Sequence, residues 1–87
     1  MPDTQSTKDQ IRQWVQETAE RKGVEVDGDD DSLTTSGVID SLAIFRLVSF
    51  IEDTFGVRIA DEEIVNDNFK SINDIDRFVS SKLGAKI

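Results

Sequence analysis

The sequence predicts an all-α domain, a three-helix bundle with one short additional helix. Three observations predict it. Apolar residues recur at three- and four-residue spacing in three separate stretches, polar capping residues precede those stretches, and glycines close two of them. At 87 residues the chain fits a single domain that buries about 60–65% of its unfolded surface, so its core must be simple.

Residues 1–6 are polar and read as a flexible N-terminus, ahead of a domain over 7–83 and a C-terminal tail at 84–87. Thr7 with Gln10 three residues on has the form of a capping box, and Ile11, Trp14, Val15, Thr18 and Ala19 follow at helical spacing. This predicts a first helix over about 8–22, with Arg21 and Lys22 at the negative end of its dipole and Gly23 as its stop. Trp14 is assigned to the core, on the face it shares with Ile11 and Val15. Residues 24–40 form a long connection, for which Leu33 and Ile39 are the expected apolar anchors.

A second helix is predicted over about 41–55. Asp40 precedes it and can accept hydrogen bonds from its first free amides, a cap worth about 1 kcal/mol, while its charge suits the positive end of the dipole. Leu47, Val48, Ile51 and Phe55 form the core stripe, and Leu42, Phe45 and Ser49 fall on another flank. Ile44 and Phe50 make this helix apolar on more than one side, as expected of a helix that is central or shared with a partner. After Gly56, Val57-Arg58-Ile59 is a short extended link. Asp61, Glu62 and Glu63 load the first turn of a short third helix ending near Val65 or Asn66. Asn66-Asp67-Asn68 reads as a turn and Phe69 as a core plug. Ser71 with Asp74 caps a last helix, whose buried stripe is Ile72, Ile75, Phe78, Val79 and Leu83.

Composition excludes several function classes. A net charge of −8 argues against nucleic acid, whose phosphates it repels, and favours basic partners. The acids Glu25, Asp27, Asp29, Asp30, Asp31 and Asp40 fall between Gly23 and Ser41 with no basic residue among them. Asp27, Asp29 and Asp31 have the alternation of the first calcium ligands of an EF-hand, but Ser32 stands where that loop needs Gly and Val38 where it needs Glu, so no metal site is assigned. Glu62 and Glu63 are neighbours on a helix, do not face each other, and are read as a solvated face. No His, Cys or Tyr is present, which removes Ser-His and Cys-His pairs, thiolate metal sites and disulfides, so no catalytic residue is assigned. A thioester function would need a thiol from outside the chain. No apolar run reaches the length of a membrane span, and Met1-Pro2-Asp3-Thr4-Gln5 lacks the features of a signal peptide, so a cytoplasmic protein without membrane insertion is expected.

Ser36-Gly37-Val38-Ile39-Asp40-Ser41-Leu42, with Phe55-Gly56-Val57-Arg58-Ile59 downstream, resembles the acyl and peptidyl carrier proteins, and the likeness extends over roughly residues 11–83. The Gly-Val-Ile-Asp-Ser-Leu wording resembles freestanding carriers of the acyl, aminoacyl or D-alanyl type. The resemblance implies a 4'-phosphopantetheine arm on Ser41, presented by Asp40 and Leu42. It further implies a carrier without activity of its own, holding acyl or aminoacyl thioesters for fatty acid, polyketide or nonribosomal peptide biosynthesis. The partners implied are a phosphopantetheinyl transferase, a loading ligase and a downstream synthase or transferase, which a monomer would meet through Leu42, Phe45, Arg46, Ser49, Asp53 and Ile59. Family members of fatty acid synthesis usually carry more acids along the second helix. Phe45 and Arg46 therefore point to a more apolar, partner-selective interface. The competing expectation is an unmodified helical interaction module in which Ser41 only caps a helix.

Overall fold

The computed structural model describes residues 6–85. Its elements, in chain order, are α1 (Thr7–Lys22), α2 (Leu33–Ser36), α3 (Ala43–Phe55), a 3₁₀ turn at Asp61–Glu63, α4 (Asn66–Phe69) and α5 (Ile72–Ala85). No strand occurs among the described residues, as the all-α reading requires. The three long helices share one core. Ile11 and Val15 of α1, Leu47 and Ile51 of α3, and Ile75 and Val79 of α5 are fully buried in it. Apolar side chains three and four residues apart stack on one stripe of each helix, and joining three stripes removes them from water together.

The connections contribute plugs to the same core. Leu33, Val38, Ile39 and Phe69 are buried, and the Phe69 ring meets the edge of Phe78 at 5.5 Å. α2 lies inside the connection expected to be irregular. Ser32 caps it through Oγ, which accepts from the Thr35 amide at 3.2 Å, and Gly37 ends it in the left-handed region at φ 92°. That conformation is strained for any side-chain-bearing residue, and here it turns Val38 and Ile39 back into the core.

Three acidic residues of this connection, Asp29, Asp30 and Asp31, have internal partners. Asp29 pairs with Arg12 through Nε at 3.0 Å and Nη2 at 2.8 Å. Asp31 accepts from the amides of Asp27 and Gly28, and Asp30 from Asn73 Nδ2 at 2.6 Å. The Arg12 hydrogen bond holds the Asp29 carboxyl below its ordinary range, outweighing desolvation. Each of these acids is therefore used to shape or anchor the loop, and no group of three or more metal-ligating residues forms among the described residues.

Several boundaries and roles differ from expectation. Thr7 is already helical, so the cap is Ser6, whose Oγ accepts from the Asp9 amide at 3.1 Å. Ser6, the last residue of the segment expected to be flexible at 1–6, thus caps α1, and residues 1–5 lie outside the described ones. Trp14 is half-buried at the rim, its ring 6.1 Å from the ring of Phe50, because its side of α1 faces a partly exposed stretch of α3. The short third helix is divided in two. Ile64 leaves helical geometry at φ −84° and ψ 73°, so the 3₁₀ turn ends, and α4 then covers the Asn66-Asp67-Asn68 stretch read as a turn. Glu63 does not belong to a solvated face, since its carboxylate accepts from the Ala60 amide and pairs with Lys82. α5 continues through Gly84 to Ala85, so those residues extend the last helix instead of opening a tail.

Ile59 requires the largest correction. It was expected to touch partners, yet it is 7% exposed within the core cluster, with its amide donating to Glu52 Oε2 at 2.9 Å. A short extended link has no helical period to indicate its buried side, and here Val57 and Ile59 point inward while Arg58 stays outside. Ile59→Ala should lower the unfolding free energy by about 2–4 kcal/mol in a urea titration. A change within about 0.5 kcal/mol would return the residue to the surface.

Candidate functional site

The start of α3 is organised by Asp40. Its backbone carbonyl accepts from the Ile44 amide at 3.0 Å, so the helical hydrogen-bond ladder begins at this residue although regular helix geometry begins at Ala43. Its Oδ1 accepts from the amides of Leu42 at 3.0 Å and Ala43 at 2.7 Å. These are the amides that a helix start leaves without partners.

The second carboxylate oxygen faces α1. Asp40 Oδ2 accepts from Lys22 Nζ at 2.7 Å, and the same ammonium donates to the carbonyls of Gly37 and Val38, each at 3.1 Å. The Lys22 hydrogen bond, followed by those from Ala43 and Leu42, lowers the Asp40 carboxyl to about 2.

Ser41 follows directly and is exposed. Its hydroxyl forms no hydrogen bond among the described residues, because capping is done by its neighbour. This disposes of the competing expectation that Ser41 serves as the cap. Both oxygens of Asp40 are engaged, one by Lys22 and the other by the two amides, so this carboxylate is not set up as a general base for the serine.

Two depressions flank the ridge that bears Ser41. One is a groove of about 460 Å³, lined by Ser41 with the apolar Ile39, Ile44, Phe45, Ile64, Val65 and Phe69 and the polar Thr34 and Asn66. The other, of about 220 Å³, is bordered by Trp14, Arg21, Lys22, Leu42 and Arg46. Asp40 borders both.

Asp40, Ser41 and Leu42 stand in succession at the start of α3 and are all exposed. Leu42 at 62% and Phe45 at 59% exposure are large apolar side chains left in water, and Arg46, Ser49 and Asp53 continue the exposed side of α3. Ile59 does not join them. Sequence reading missed Ile64 and Val65, which wall the groove from the segment between the 3₁₀ turn and α4, and it missed the contacts of Lys22. The pattern Ser32 to Gly37, a cap and a stop on either side of four residues, was the available signal for α2.

Because the Asp40 carboxyl lies lower in the folded chain than its ordinary 3.8, the unfolded chain binds more protons between those values. Its contribution to stability is therefore complete above about pH 4 and lost as pH falls through about 2. Asp40→Asn keeps a capping oxygen but loses the charge. The gap in melting temperature between wild type and Asp40→Asn should be constant above pH 4 and close toward pH 2; a gap unchanged by pH would contradict the Lys22 pairing.

The chain is similar to known proteins. A family model described as the phosphopantetheine attachment site matches residues 9–79. No curated protein matches the chain. The crystal structure of an acyl carrier protein from Thermotoga maritima is similar to it at 30% identity and a TM-score of 0.66, over 92% of this chain and 93% of that one. The chain therefore belongs to the phosphopantetheine-attachment family of carrier proteins, whose prosthetic group is 4'-phosphopantetheine and whose members are modified and used by partner enzymes without catalysing a reaction themselves.

Proposed function

We propose that Ser41 carries the phosphopantetheine arm and that the protein, as a cytoplasmic monomer, passes acyl thioesters from a loading ligase to a downstream synthase or transferase. The observation that carries this reading is the exposed, uncommitted hydroxyl of Ser41 beside a carboxylate that has taken over the capping. The residues around it fit the group. The amides of the first turn of α3 are taken by Asp40, so the helix start is not what would hold the group; the groove beside Ser41 offers an apolar surface to the pantetheine and its cargo.

Attachment needs a transferase that supplies a base and coenzyme A. Ser41 Oγ attacks the diphosphate phosphorus nearer the pantetheine, an O–P bond forms, the anhydride P–O bond breaks, and adenosine 3',5'-bisphosphate leaves while the serine proton passes to the transferase's base. The bound group supplies the thiol that a chain without cysteine lacks. The apolar walls of the groove favour a cargo with a hydrocarbon chain over a small polar aminoacyl group.

Leu42, Phe45, Arg46, Ser49 and Asp53 are the proposed docking residues. Leu42 and Phe45 lie beside the attachment point and gain most from being covered, each worth about 1–2 kcal/mol when the part still exposed is removed from water. Incubation with coenzyme A and a promiscuous phosphopantetheinyl transferase should add one phosphopantetheine to the wild-type mass and none to Ser41→Ala, with helical content equal in both. An unchanged wild-type mass would favour an unmodified interaction module, and an unfolded Ser41→Ala would identify a structural residue.

A further inference from the structure

We propose that Lys22, at the far end of α1, is a positioning residue for modification of Ser41; this rests on the reading of Ser41 as the attachment point. Lys22 lies 18 residues from Asp40 in sequence, and its ammonium spends its three donors on three acceptors of one short segment: the carbonyls of Gly37 and Val38 and the Asp40 carboxylate. These acceptors span the return from α2 to α3, the stretch that ends at Ser41. A transferase must bring Ser41 Oγ in line with a phosphorus, so the cost of ordering this stretch falls either on the folded carrier or on the encounter.

Other contacts do not duplicate this one. Val38 and Ile39 anchor the segment from below by burial, and the Ile39 amide donates to the Leu33 carbonyl at 3.0 Å. These set the depth of the segment. Among the described residues, only Lys22 ties the two carbonyls and the capping carboxylate to α1 by hydrogen bonds. Without it Asp40 can still cap α3, because Oδ1 serves the amides and Oδ2 serves Lys22. Loss of Lys22 therefore loosens the approach to Ser41 while leaving the helix start intact.

Lys22→Met keeps the length of the side chain and removes all three donors, whereas Lys22→Arg keeps the charge and the reach. Rates of phosphopantetheine transfer from coenzyme A would be measured against carrier concentration, at a temperature where circular dichroism shows every variant folded. Lys22→Met should lower kcat/KM about tenfold, and Lys22→Arg should recover most of the loss. Hydrogen exchange should quicken at Ile39 in Lys22→Met but not at Ile51, a buried residue of α3 that reports global opening. A Lys22→Met carrier modified at the wild-type kcat and KM overturns the proposal, as does a Lys22→Arg carrier no better than Lys22→Met. If Lys22→Met does not fold, Lys22→Gln, which retains two donors without the charge, takes its place under the same criteria. A wild-type chain that gains no mass overturns the attachment reading and this one with it, whereas a wild-type chain that gains mass beside an equally fast Lys22→Met overturns this one alone.

Discussion

The site depends on one carboxylate doing two jobs at once. Asp40 satisfies the amides at the start of α3 with one oxygen and is held by Lys22 of α1 with the other. A serine at a helix start would ordinarily turn its hydroxyl inward to cap. Here that need is already met, and Ser41 stands exposed with no hydrogen bond to its hydroxyl among the described residues. Three apolar stripes make the bundle, Gly37 turns the chain, and Val38 and Ile39 fasten its underside in the core.

The charge of the chain has a different meaning once its partners are known. A cluster of acids between Gly23 and Ser41 suggests a negative surface for basic partners, yet Asp29, Asp30, Asp31 and Asp40 are each bound to Arg12, Asn73, loop amides or Lys22. Much of the acidity is structural. The surface next to Ser41 is instead a mixture of exposed Leu42 and Phe45 with Arg46, beside an apolar groove. Such a surface discriminates by shape and apolar contact more than by long-range attraction.

The three long helices were legible because each carries four or more apolar residues at helical spacing, and Asp40 was legible as a cap because an acid before an apolar run has a local meaning. The one-turn helices α2 and α4 were not. A single turn is too short to show a period, and its stability comes from its packing partners. Ile59 failed for a related reason: in a short link the alternation of inside and outside has no phase until the core supplies one. Lys22 looked like a helix-end cation suited to the dipole, and it is one, but its three acceptors lie 15 to 18 residues away and are brought to it only by the fold. The serine itself was singled out through its setting and family likeness; its freedom from capping became visible only with the hydrogen bonds of its neighbour.

The central claim is that one hydroxyl, at residue 41, bears the arm in the living cell. Peptide-level fragmentation mass spectrometry of the protein purified from its own cells tests it most directly, because it places the added group on a single residue and reads the cargo attached. The account predicts the phosphopantetheine mass on Ser41 with an acyl chain at its end. The same mass on Ser32, Ser36 or Ser49, or none on any serine of the chain, would contradict it.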